Sequence, residues 1–302
     1  MSSLGPLPVP VVIAFAAIVP AWVLVRVWAG RLPATPDRAP HKAASALFLD
    51  ALLIGLLAAR LGYVLRWWSE YTVAPMAIIA IGDGGFLWWT GLPAAIAFAW
   101  WRTRKAPSLR RPVLAGMAAG MLAWGVFNGM LALLQRAAPQ LSDVALATLD
   151  GASVRLDVYA GRPFVLNLWA TWCPPCRREM PVFEDAQRRY PGVAFVLVNQ
   201  GEDRDTIRSF LDRQGLDLRD VLRDAASRTM LDAGTRGLPT TLFFDAHGQL
   251  VDRHMGELTR ASLADTLQRR FGERARVPPA PSESTRRLPI PPRSGDDAKL
   301  PE

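Results

Sequence analysis

Four long apolar stretches crowd the first 140 of the 302 residues: about Leu7–Val25, Ala44–Leu65, Phe86–Trp101 and Pro112–Leu134. Each approaches the ~20 residues needed to cross a bilayer, the third being the shortest. So much apolar sequence leaves too little polar surface to bury it in water, so a membrane bundle of about four helical spans is expected. The first stretch lacks the layout of a cleaved signal peptide. No positive charge precedes it, and the first basic residue, Arg26, follows it.

Residues 1–140 hold 12 Lys/Arg against 4 Asp/Glu, residues 141–271 hold 17 against 18, and residues 272–302 hold 6 against 5. The net charge of +8 therefore belongs to the front segment. The nearly neutral remainder has no basic stripe, and nucleic acid is excluded as a partner. Arg31, Arg38 and Lys42 lie in the first loop, and Arg102, Arg104, Lys105, Arg110 and Arg111 in the third. The second loop carries Arg66 opposed by Glu70 and Asp83. Basic loops stay cytoplasmic. Loops one and three are thus expected inside, and loop two with everything after Leu134 outside, in the periplasm or on the extracellular face. Trp67, Trp68, Trp88, Trp89, Trp100 and Trp101 fall near the expected interfaces, as an aromatic belt does.

Asp50 and Arg60 lie inside the second stretch, where a mid-membrane charge costs about 2.5–3.5 kcal/mol on insertion scales. About 15 Å of helix separates them, so they cannot pair directly. Asp50 is near the cytoplasmic end. Arg60 is expected to snorkel outward or to meet a lipid phosphate.

The chain has two cysteines, Cys173 and Cys176, in the run Trp169-Ala-Thr-Trp-Cys-Pro-Pro-Cys-Arg-Arg-Glu-Met-Pro181. The loop they close is too short to restrict the unfolded chain much, so they make a poor structural staple. Zinc normally takes four ligands, and three scattered histidines (His41, His247 and His254) do not complete a site; no metal or other cofactor is expected. At a helix start, the first-turn N–H groups and dipole favour Cys173 as the attacking thiolate. Cys176, one turn on, can resolve the mixed disulfide. The loop charges put this pair outside the cytoplasm, where disulfides persist. No cysteine lies in the apolar stretches, so the front segment cannot relay reducing equivalents itself. Electrons must pass to or from another protein.

Arg162-Pro-Phe-Val-Leu-Asn-Leu-Trp-Ala170, bounded by Gly161, reads as a buried strand, and Arg177–Tyr190 as a helix. A strand at Val193–Asn199, a helix at Asp203–Gln214, a strand within Gly237–Asp245, a return strand at Gln249–His254 and a helix at Thr259–Phe271 follow. Strand, Cys-Pro-Pro-Cys and helix open a thioredoxin-type unit. This part of the chain, with Gly237-Leu-Pro-Thr-Thr241, resembles the TlpA/ResA-like branch of the thioredoxin superfamily over roughly residues 141–271. The resemblance implies that Pro239 is a cis-proline against the active-site disulfide, with Leu238 lining a substrate groove. It implies that Glu179 is an active-site acid moving protons at the buried sulfur, and that Trp172 shields Cys173 from one side. Pro181 should kink the helix.

Ala59-Arg-Leu-Gly-Tyr-Val-Leu65, Asp83-Gly-Gly85 and Asn128-Gly129 make residues 45–130 similar to the first half of prolipoprotein diacylglyceryl transferase. Where that family has His-Gly-Gly, this chain reads Trp89-Thr90-Gly91, and Met130 follows Gly129. The family's accompanying arginine and glutamate are missing. The resemblance therefore implies a truncated, non-catalytic membrane domain of shared ancestry.

The expected architecture is an α-helical transmembrane bundle (1–136), an α/β thioredoxin-like domain (137–271) and a proline-rich disordered tail (272–302). Leu134–Leu141 would be a short linker. The expected function is that of an inner-membrane, periplasm-facing thiol:disulfide oxidoreductase. Family analogy implies oxidised client proteins in cytochrome c or copper-site assembly as targets and a DsbD-like membrane thiol reductase as donor. A disulfide-introducing oxidase on the same fold, and a lipid-handling membrane protein with an accessory redox domain, remain open alternatives.

Overall fold

Small residues let the helices of the front half approach closely. A computed structural model describes residues 3–4, 7–33, 39–134, 146–235 and 237–277. A short hairpin of β1 (Ser3–Leu4) and β2 (Leu7–Pro8) precedes α1 (Val9–Gly30), α2 (Pro40–Arg66), the short α3 (Trp68–Val73), α4 (Trp88–Arg102) and α5 (Arg110–Leu134). Where α2 meets α4, a Cβ on Gly91 would lie 2.6 Å from the Gly55 carbonyl oxygen, so glycine permits that backbone contact.

Two stretches, Pro40–Arg66 and Pro107–Met130, are long and apolar enough to cross a membrane by length and composition; Ala14–Gly30 forms a shorter apolar helix. The 15 residues of α4 span only about 22 Å, short of the ~30 Å hydrocarbon layer. The expected four spans thus correspond to α1, α2, α4 and α5, of which α2 and a segment overlapping α5 meet the length criterion.

Arg60 does not snorkel. It is 9% exposed, and its Nη1 donates to Asp83 Oδ1 at 2.8 Å and to the Gly85 carbonyl at 2.9 Å. Nη2 donates to the Ala77 and Ile78 carbonyls at 3.1 and 3.0 Å, and Tyr71 and Phe86 flank the guanidinium. Pairing within the protein, with donors spent on backbone carbonyls, replaces the lipid phosphate expected from sequence. The chain folds back between Ala77 and Gly85 to supply those carbonyls, which helical spacing from Asp50 could not reveal.

The second half is a seven-stranded sheet built from β3 (Leu146–Thr148), β4 (Ser153–Val154), β5 (Phe164–Trp169), β6 (Ala194–Gln200), β7 (Val221–Asp224), β8 (Thr240–Phe244) and β9 (Leu250–Met255). Its order is β4-β3-β7-β6-β5-β8-β9. The central strands β7, β6 and β5 run parallel, and β8 pairs antiparallel with both β5 and β9. Helices α6 (Pro174–Arg189), α7 (Arg204–Gln214), α8 (Arg228–Asp232) and α9 (Arg260–Phe271) connect and cover it. Every residue of β5 and β6 is buried, as expected for inner strands covered on both faces.

Alternation along β5 decides which side chains reach the site. Val165 and Trp169 join Cys176, Met180, Phe183 and Leu267 in one apolar cluster, while Leu166 and Leu168 join Val196, Leu242 and Phe244 on the opposite face. Asn167, sharing a face with Val165 and Trp169, therefore points toward α6. On α6 the buried residues Cys176, Glu179, Met180, Phe183, Ala186 and Gln187 recur at helical spacing, which puts Glu179 on the core face.

The tail boundary at 272 needs correction. Gly272–Ala275 forms a 3-10 turn, Ala275 is buried, and Gly192 N–H donates to the Ala275 carbonyl at 3.1 Å. A Cβ on Gly192 would lie 2.0 Å from the Arg274 carbonyl oxygen, so glycine makes room for this return. The pattern of prolines obscured it because this turn precedes them. Residues 278–302 and 135–145 lie outside the described residues, and with them all but the first residue of the expected linker Leu134–Leu141.

The halves touch at the end of α2 and at α3. Arg189 of α6 donates to both Glu70 oxygens at 3.0 and 2.8 Å. Thr259 Oγ1 donates to Asp83 Oδ2 at 3.1 Å. Tyr63, Val64, Tyr71 and Leu87 pack with Ala261.

Candidate active site

Cys173 sits at the N-cap of α6, where its sulfur accepts the Cys176 N–H at 3.3 Å and Pro174 occupies the first turn. Proline suits that place because its missing N–H would find no helical partner there. Cys173 and Cys176 are disulfide-bonded with Cα atoms 5.3 Å apart. Both residues are buried, Cys173 at 3% and Cys176 at 0% exposure. Trp172, 68% exposed, presents its ring to solvent beside the pair. Pro181 lies inside α6 without ending it.

Leu238–Pro239 is the cis peptide bond among the described residues, and the Pro239 carbonyl accepts the Gly256 N–H at 2.9 Å. Leu238 packs half-buried against both apolar clusters.

Glu179 is fully buried. Its Oε1 accepts from Asn167 Nδ2 at 2.8 Å and its Oε2 from the Leu258 N–H at 3.0 Å. Burial pushes its pKa up to about 8; the two donors pull in the opposite direction, and nearby Glu257 adds to the rise. A carboxyl poised there can hold or release a proton near neutral pH. Asn167 Nδ2 also donates to Thr241 Oγ1 at 3.1 Å on the paired strand β8. Asn167 Oδ1 is buried with no partner among the described residues.

Sequence reasoning missed two residues. Asn167 was readable as a lone amide in a strand buried on both faces, a position that requires a polar partner. Glu202 accepts from Thr171 N at 2.7 Å, Thr171 Oγ1 at 2.5 Å and Asn199 Nδ2 at 2.6 Å. It thereby fixes the loop that leads into Cys173. Nothing in the local pattern of Gly201-Glu202-Asp203 signals this, because Thr171 lies 31 residues away beyond the end of β5; Asn199, three residues back on β6, is the local partner.

Residues 135–267 match the Redoxin family model. Over 138 residues the chain is 36% identical to the thiol-disulfide oxidoreductase ResA of Halalkalibacterium halodurans, covering 45% of this chain and 77% of that protein. The chain belongs to the ResA-like thiol-disulfide oxidoreductases. It is also 34% identical over 132 residues to the thioredoxin-like protein YneN of Bacillus subtilis, covering 42% of this chain and 76% of that one. With the thiol:disulfide interchange protein DsbE of Vibrio cholerae it shares 32% identity over 110 residues, covering 36% of this chain and 59% of that one. Residues 4–132 match the prolipoprotein diacylglyceryl transferase family model. The chain is thus a ResA-like redox enzyme joined to a front half that matches the diacylglyceryl transferase model.

Proposed function

We propose that this ResA-like oxidoreductase is held at the inner membrane by residues 1–136, with four spans, and reduces disulfides of exported proteins through the domain at 137–271. The observation that carries the reading is the Cys173–Cys176 pair at the N-terminus of α6, with buried Glu179 one helical turn further along. The Cys173 thiolate attacks a client disulfide, forming a mixed disulfide and releasing one client thiolate. The Cys176 thiolate then attacks the Cys173 sulfur, closing the disulfide and releasing the second client thiolate. Two electrons pass to the client. In its ionised form Glu179 takes the Cys176 proton as that thiol becomes the attacker. Trp172, Leu238 and Pro239 form the surface on which an extended client strand lies.

Placement outside the cytoplasm draws support from two directions. Loop two carries little positive charge beyond Arg66, whereas loops one and three are basic. Glu70 and Asp83 of loop two also bind the redox domain directly, as they would if both lay on one side of the bilayer. The front half then serves as anchor in the phospholipid bilayer. Without cysteines it cannot carry electrons, so a separate DsbD-like membrane thiol reductase would supply them. Clients in cytochrome c or copper-site assembly fit this role.

Cys176→Ser should accumulate mixed disulfides with clients through Cys173, and Cys173→Ser should trap none, as read by non-reducing gels and mass spectrometry. Clients recovered on Cys176 instead would reverse the assignment of attacker and resolver.

A further inference from the structure

Residues 256–259 form a short bridge between the two halves. Gly256 N–H donates to the Pro239 carbonyl. Glu257 receives Arg178 of α6 at 2.5 Å, and Leu258 N–H donates to Glu179. Thr259 donates to Asp83 while capping α9 in a reciprocal box with Ser262. Asp83 is held in turn by Arg60, by Tyr71 Oη at 3.3 Å and by its own loop's Gly85 N–H at 2.9 Å. It is 4% exposed, so the anchor is buried. The amide on the active-site carboxyl and the hydroxyl on the front half's carboxylate thus belong to adjacent residues.

We propose that Asp83 of the front half is a positioning residue for the redox centre. By holding Thr259 it fixes the Leu258 N–H on Glu179, and so sets the pH at which Glu179 gives up its proton. The proposal rests on Glu179 as the active-site acid. An N–H donated to a carboxylate favours the charged form, so loosening that donor raises the pKa of Glu179. The other groups acting on Glu179 are Asn167, which carries no charge and also donates to Thr241, and Glu257, which Arg178 holds; the two cysteines do not titrate while bridged. Removing the Asp83 charge alone would lower the pKa of Glu179, so the sign of the change separates loop positioning from charge.

The test uses the full chain, oxidised, in lipid nanodiscs. Infrared difference spectra follow the Glu179 carboxyl band through a pH titration, the band being assigned by its loss in Glu179→Gln. Asp83→Ala should move the midpoint upward by roughly half to one pH unit. Thr259→Val, which leaves the Arg60–Asp83 pair intact and serves if Asp83→Ala does not fold, should do the same, and Thr259→Ser should restore the wild-type value. Arg189→Ala breaks the ion pair with Glu70, a separate polar contact between the halves, and should leave the midpoint in place. An unchanged or lowered midpoint in Asp83→Ala or Thr259→Val, with wild type near 8, would overturn the coupling alone. A wild-type midpoint in the ordinary carboxylate range would overturn the role of Glu179, and the coupling with it.

Discussion

Glu179→Gln replaces a carboxyl that the core holds protonated with a neutral amide of nearly the same shape. In the folded protein the carboxyl keeps its proton from its ordinary 4.5 up to about 8, whereas in the unfolded chain it has lost it. Between those values the folded state binds more protons, so stability falls as pH rises and levels off above about 8. The full drop is on the order of 5 kcal/mol. The substituted amide has no such ionisation. It can still be satisfied, because Leu258 N–H can donate to its oxygen and the unpartnered Asn167 Oδ1 can turn to accept from its nitrogen. The assay is urea unfolding of the oxidised full chain in detergent, followed by tryptophan fluorescence from pH 5 to 9. His254, pushed down by burial, is common to both proteins and cancels in the difference. Wild type should lose stability relative to Glu179→Gln across that range, with the variant the more stable above pH 8. Parallel curves would refute the reasoning that burial governs this carboxyl.

Glu202→Ala strips the partners from Thr171 and Asn199 and should cost about 2 kcal/mol, while dithiothreitol reduces the loosened Cys173–Cys176 bond faster in stopped-flow traces. Gly192→Ala drives a Cβ into the Arg274 carbonyl and should destabilise by about 1–3 kcal/mol, exposing the Gly272–Ala275 turn to limited proteolysis at sites protected in wild type.

Much of the redox half was legible because its signals are local. The apolar run before Cys173, the helix after it and Thr259 ahead of α9 each declare an element within a few residues. The strands β3, β4 and β7 were not read: each has at most four residues, too few for a period to show. The Glu179 environment was half legible. Its place one turn beyond Cys176 follows from the sequence, but its partners come from β5 and from the turn before α9, which only the folded sheet brings together. Arg60 was misread for the same reason. Its partner lies 23 residues on, across a chain reversal built of 3-10 turns without periodic pattern.

The measurement closest to the central claim is thiol labelling in intact cells. After brief reduction with dithiothreitol, a membrane-impermeant maleimide should modify Cys173 and Cys176 without permeabilisation, and omitting the reductant should protect both. Modification that required lysis, or thiols that were free before reduction, would contradict a dithiol centre cycling on the outer side of the membrane.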